Sequence, residues 1–329
     1  MRNKCLLLFY ISVILFQSIK AQYDFPTGKY PLSVILDSDF GPDYDDVGAI
    51  TILHGFADSG YVKILATMAS SKHKNAAASL NVFNTYFGRP EIPVGVVRGQ
   101  ALAYSDRQHW TDSVISRYPH KIKTNQDAED ALTLYRKILA TQPDHSVTII
   151  TVGFMTNLSN LLKSHPDEFS PLDGYQLVKS KVYKLVSMGG RFPGGREYNL
   201  DQDVQSTATV MTDWPTQILF SGFEIGEKIK TGLPLIHNSK IKNSPVKDVF
   251  AICIPFSEED SAGRMSWDET AVFVAVKGWR NYYTLKEGRC GIHPDGTNYW
   301  INNGRTQAHL VEKQSPLYMQ MLIENMIER

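Results

Sequence analysis

Cysteine is scarce in this chain, net charge is absent, and no long apolar run follows the first twenty or so of its 329 residues. Cys5 lies in that N-terminal run, which leaves Cys253 and Cys290. Two thiols make neither a disulfide scaffold nor a cysteine zinc site, though they suffice for one bridge in an oxidising compartment, and the sequence leaves that pairing open. With 34 basic and 34 acidic side chains, nothing marks the protein for nucleic acid or an anionic membrane surface. Beyond the N-terminus no stretch is apolar enough to span a bilayer. The opening "MRNKCLLLFYISVILFQSIKA" has a basic start, an apolar middle and a small residue at Ala21. That is the layout of a secretory signal peptide, which predicts cleavage after Ala21 and a secreted or periplasmic protein spanning residues 22–329.

What is present is an alternation. Apolar runs at 33–37, 62–68, 92–97, 146–153, 181–190 and 216–222 read as buried strands. Between them, 73–88 and 126–142 carry helical spacing, the first closing on Gly88. This order predicts an α/β fold with an open, mostly parallel central sheet flanked by helices, related to the Rossmann folds. Ligands of such sheets bind outside the carboxyl ends of the strands. Residues 222–265 show the least pattern and read as an irregular flap.

The first strand runs into "DSDFGPDYDD", where Asp37, Asp39, Asp43, Asp45 and Asp46 put five carboxylates into ten residues. Burying any of them unpaired is costly. An EF-hand loop fails, because its fifth, sixth and twelfth positions would be Gly41, Pro42 and Gly48. An aspartyl phosphotransferase, with Asp37 as nucleophile, lacks a later strand ending in paired acids. A solvated acidic turn with Asp45 as a helix cap is the bland alternative. An Asp-x-Asp, a glycine-containing turn and an Asp-Asp pair at a helix start instead suit convergence of several oxygens on one hard divalent cation.

The stretch resembles the N-terminal signature of the calcium-dependent nucleoside hydrolases, Asp-x-Asp-Pro-Gly-x-Asp-Asp, with two extra residues and Phe40 in place of Pro. The likeness continues in order through "FGRPEIPVGVVRGQ" (87–100), "TVGFMTNLSNLL" (151–162), "MGG…REYNLDQD" (188–203) and "SWDETAVFVAV" (266–276). It implies one catalytic domain over 22–329 that cleaves the N-glycosidic bond of ribonucleosides. It also implies a small-molecule nucleoside as partner and assembly as a dimer or tetramer. By the same resemblance Asp39, Asp46, Asp268 and the carbonyl of Val152 hold Ca2+, and Asp39 takes the proton of the attacking water. Asp45, Glu197 and Asn199 grip the ribose. Where many relatives carry His-Asp, this chain has Trp267-Asp268. That pair is similar to the purine-preferring branch, in which an aromatic stack helps the base leave as it is protonated. Trp267 takes that role by resemblance, with Trp110 or Tyr104 as a second stacking face. A ribose- or nucleoside-binding protein with little turnover, and a hydrolase of another N-riboside or sugar compound, are the alternatives.

Overall fold

The computed structural model describes residues 31–304 and 306–328. The expected signal peptide and its cleavage point lie outside them. Thirteen strands occur along the described chain: β1 (Leu32–Ser38), β2 (Val62–Ala69), β3 (Val94–Val96), β4 (Glu129–Asp130), β5 (Val147–Thr151), β6 (Val182–Met188) and β7 (Gly194–Arg196), then β8 (Gln217–Ser221), β9 (Lys230–Thr231), β10 (Arg264–Met265), β11 (Tyr283–Ile292), β12 (Thr297–Ile301) and β13 (Gln307–Glu312). Eleven form one sheet in the order β4-β3-β2-β1-β5-β6-β8-β13-β11-β12-β7, while β9 and β10 pair apart. Neighbours are parallel from β4 to β13 and antiparallel from β13 to β7.

Each predicted strand forms. Their apolar runs are continuous because helices cover both faces, so successive residues enter different cores. Val34 and Leu36 of β1 face one core, and Ile35 between them faces the other. The first predicted helix forms over Ala76–Tyr86 and the second over Ala131–Thr141, each shorter at its start than its periodicity. Residues 222–265 carry more order than expected, with helices at Phe223–Gly226, Leu233–His237 and Pro245–Cys253. No helix among the described residues is long and apolar enough to cross a membrane. Cys253 and Cys290 are free thiols in different cores, which rules out the bridge between them.

Chain direction across the sheet reverses at β1. Strands β2, β3 and β4 build to one side, β5, β6 and β8 to the other. A crevice forms at such a point, outside the carboxyl ends of the strands. Two helices point into it. Asp45–Asp58 is buried along nearly its whole length and starts with Asp45 and Asp46. Trp267–Lys277 packs against it and starts with Trp267 and Asp268. Their approach is tight: a Cβ on Gly48 would lie 1.9 Å from Glu269 Oε1, so any larger residue there would have to displace the Glu269 side chain.

Candidate functional site

The turns after β1, β2 and β5 are locked together by their backbones. The Val152 N–H donates to the Asp37 carbonyl at 2.8 Å, and the Ser70 N–H to the Ser38 carbonyl at 2.8 Å. Ser70 Oγ donates to the same Ser38 carbonyl at 3.1 Å and accepts from the Phe154 N–H at 3.0 Å. Gly153 lies against this junction, where a Cβ would come 2.3 Å from the Asp39 nitrogen. Asp39 and the Val152 carbonyl are thereby fixed on one wall. Asp37 sits beneath them, fully buried, accepting from the Tyr135 hydroxyl at 2.9 Å and from Asn157 Nδ2 at 3.1 Å. Burial pushes its carboxyl up to about 7 against those two donors. Asn157 is itself buried in this contact and also donates to the Ala69 carbonyl at 3.1 Å.

Above Asp37 opens a cavity of about 280 Å³, lined by Asp39, Asp43, Asp45, Val152, Glu197, Asn199 and Asp268 on its acidic side. Asp39, Asp45, Asp46 and Asp268 are each at most 4% exposed. Burial first, then repulsion from neighbouring carboxylates, drives Asp39, Asp46 and Asp268 well above the usual carboxylate range. Asp45 rises to about 7, because burial and Asp43 outweigh the guanidinium of Arg264. The two helix N-termini ease this crowding by their positive dipole ends. Among the described residues no three His, Cys, Asp or Glu side chains are already gathered as a metal cluster. Yet both carboxylate oxygens of Asp46 are buried without a hydrogen-bond partner. Orphaned, mutually repelling hard oxygens beside a cavity are the donor set a calcium ion fits.

Glu197 and Asn199 reach the same cavity by way of the turn after β6. Glu197 caps the short helix Tyr198–Asp201, accepting from the N–H groups of Asn199 at 2.8 Å and Leu200 at 3.2 Å, and also from Gly190 at 2.8 Å. Burial, partly offset by these three donors, lifts it to about 7. It does not pair with Arg196, which bonds Asp201 instead. Asn199 Nδ2 donates to the Val152 carbonyl at 3.1 Å, tying the β6 turn to the β5 turn.

A family profile described as inosine-uridine preferring nucleoside hydrolase matches residues 34–320. The chain belongs to that family. It is an N-glycosyl hydrolase acting on ribonucleosides. It is similar to the pyrimidine-specific ribonucleoside hydrolase RihA of Salmonella agona (strain SL483), 25% identical over 240 residues that cover 69% of this chain and 72% of the relative. In fold it is similar to the purine-preferring ribonucleoside hydrolase from Gardnerella vaginalis, with TM-score 0.72 and 17% identity over 90% of this chain and 99% of the other. The type III effector protein XopQ, solved with adenosine diphosphate ribose, shares the fold at TM-score 0.68 and 15% identity, covering 92% of this chain and 93% of the other.

The far wall of this nucleoside hydrolase's cavity is aromatic. Trp267 lines it half-buried, with Nε1 donating to the Phe223 carbonyl at 2.8 Å and its ring 5.0 Å from that of Phe223. Trp110 does not belong there, contrary to expectation. It is completely buried, edge-on to Phe40 at 5.4 Å, because its helix packs its first turn into the core. Tyr104 also lies off this cavity, lining the neighbouring one and bonded to Gln202. Tyr198, 45% exposed, lines both cavities. Among the described residues no histidine lines the main cavity; His109 is on the surface beside Asp112.

Sequence reasoning missed Tyr198, Phe223 and Arg264. Arg264 leaves the flap to pair with Asp43 and, at 3.0 Å, with Asp45. The signal for it was slight: the acids Glu258, Glu259 and Asp260 just upstream of an isolated arginine, with Asp260 to Arg264 an i, i+4 pair at 3.7 Å. Tyr198 stood inside "REYN" but was passed over for its polar neighbours.

Proposed function

We propose that this nucleoside hydrolase is calcium-dependent and prefers purine ribonucleosides, releasing ribose and the free base. Asp39, Asp46, Asp268 and the Val152 carbonyl are the residues that would hold the ion. A bound calcium supplies Lewis acidity, which eases deprotonation of a water and anchors sugar hydroxyls. Asp39, on the cavity wall, accepts the proton as the water oxygen bonds C1′ and the glycosidic bond breaks through an oxocarbenium-like state. The bonding pair of the broken C–N bond leaves with the base, which takes a proton from solvent, and Asp39 returns its own to solvent, so the cycle consumes one water. Asp45 and Asn199 orient the ribose hydroxyls. Glu197 holds the shape of that edge, since its oxygens already accept three backbone N–H groups.

The observation that carries the ion is the Asp46 carboxylate, buried with neither oxygen bonded, next to three other buried aspartates. Purine preference rests on the Trp267–Phe223 wall, a broad apolar face suited to a bicyclic base. A second reading changes only the leaving group, to that of another N-riboside, and is favoured by the absence of an imidazole from the cavity wall.

The test is ribose release from inosine, adenosine, guanosine, uridine and cytidine, with calcium and with chelator. Calcium-dependent release, faster from the three purines, is expected. Faster release from uridine and cytidine would overturn the purine preference, and release unchanged by chelator would overturn the ion. No release from any of the five would move the substrate to other ribosides.

A further inference from the structure

Arg264 stands between the acidic and aromatic walls of the cavity and touches both. It is 9% exposed. Its guanidinium pairs with Asp43 and lies 3.0 Å from Asp45 Oδ1. The guanidinium carbon is 5.1 Å from the Trp267 ring centroid and 4.9 Å from that of Tyr44. Behind it the Tyr44 hydroxyl donates to Asp260 at 2.8 Å, so flap and aspartate loop close on each other around this one cation. The other oxygen of Asp45 accepts the Asp268 N–H at 3.3 Å. Each Asp45 oxygen thus has one donor within the protein and further lone pairs for a ligand. A planar, permanently charged guanidinium can bond a carboxylate with its edge while its face lies on an aromatic ring; an ammonium cannot do both.

We infer that Arg264 is a positioning residue that sets the sugar and base subsites in register: it fixes Asp45 as the acceptor for a ribose hydroxyl and holds the Trp267 ring against which the base departs. This rests on reading the cavity as the riboside site. With three carboxylates around it, Arg264 is not offered as an anion-binding group.

The variants Arg264→Met and Arg264→Lys test this in the full-length protein, with D-ribose and calcium affinities by calorimetry, Tm, and kcat and KM on the most rapidly cleaved nucleoside. R264M is expected to weaken ribose binding and raise KM by about tenfold or more, the worth of one charge-assisted hydrogen bond. Its calcium affinity should not fall, because the lost guanidinium is a positive charge that acts on Asp46. R264K restores the charge beside Asp45 but not the planar guanidinium near Trp267, so KM should recover while kcat falls below that of the parent. That split is what a plain structural brace would not produce.

Ribose affinity unchanged in R264M would overturn the inference. So would parallel loss of ribose, calcium and Tm, or an R264K indistinguishable from the parent in kcat. If R264M does not fold, the R264K split decides alone. A parent protein that binds ribose but cleaves no nucleoside would refute the nucleoside reading and leave the ribose arm to judge Asp45. A parent that binds no ribose would overturn both.

Discussion

The strand end and the helix start of the 37–46 stretch solve the same problem in opposite ways. Asp37 and Asp46 are both buried, at 0% and 1% exposure. Asp37 at the strand end is satisfied by the Tyr135 hydroxyl and the Asn157 amide. Asp46 at the helix start has no hydrogen-bond partner on either oxygen among the described residues and faces three other aspartates. A buried carboxylate with donors belongs to the scaffold. Asp46, set at the helix start among the cavity's aspartates, is left for chemistry that arrives from outside. Asp39, between the two, lines the cavity while its backbone is pinned by the neighbouring turns.

The contrast can be broken most sharply at Asp39. Asp39→Asn should lower kcat by about 10²–10⁴-fold, the usual worth of a general base, with Tm little changed. A variant that keeps parental turnover would remove Asp39 from the chemistry. Stability separates the two ends next. Asp37→Ala strands the Tyr135 hydroxyl and one of the two Asn157 N–H groups, the other keeping the Ala69 carbonyl, and should cost about 1–3 kcal/mol in chemical denaturation. Asp46→Asn loses no bond and relieves repulsion, so in chelator it should be at least as stable as the parent while losing the calcium-induced rise in Tm. Equal destabilisation by the two substitutions would erase the distinction.

The smallest expected effect is a slope with pH. Asp37 and Asp45 both rise to about 7, against about 4 in the unfolded chain. Between those values these two groups hold more protons in the folded protein than in the unfolded one, so without calcium their contribution to stability falls as pH climbs from 4 to 7, against a smaller opposing one from His54, which burial lowers to about 4. At the proposed ion site calcium would have to displace protons from Asp39, Asp46 and Asp268, so the gap in Tm between loaded and chelated protein should widen over the same range. Scanning fluorimetry from pH 5 to 7.5, with and without chelator, reads both trends. A chelated protein that gains stability on the way up would contradict them.

Much of this was legible in the chain. Parallel strands buried on both faces announce themselves as unbroken apolar runs, which is why β1, β2, β5, β6 and β8 could be read directly. The antiparallel extension was not: β11 mixes buried and exposed positions without clean alternation. The acidic wall was legible because five carboxylates behind a buried strand have few explanations. The aromatic wall was legible only in part. Trp110 and Trp267 both begin helices, and nothing local says that one turns into the core against Phe40 and the other onto a cavity beside Phe223. Arg264 left only a slight trace for a similar reason. Its partners Asp43 and Asp45 lie more than two hundred residues away in sequence, as Asp45 does by 219.

The two borders of the large sheet carry a consequence for solubility. β4 is two residues long and β7 three, the latter opening with two glycines and closing on Arg196. An exposed strand border is a template for pairing with another chain, and brevity, glycine and a charged residue all blunt it. An eleven-stranded sheet could propagate indefinitely by adding strands at either rim; this one ends on stubs too short to recruit a neighbour. Its association with other copies is therefore steered away from open-ended β-augmentation and toward contacts made by its helices and loops.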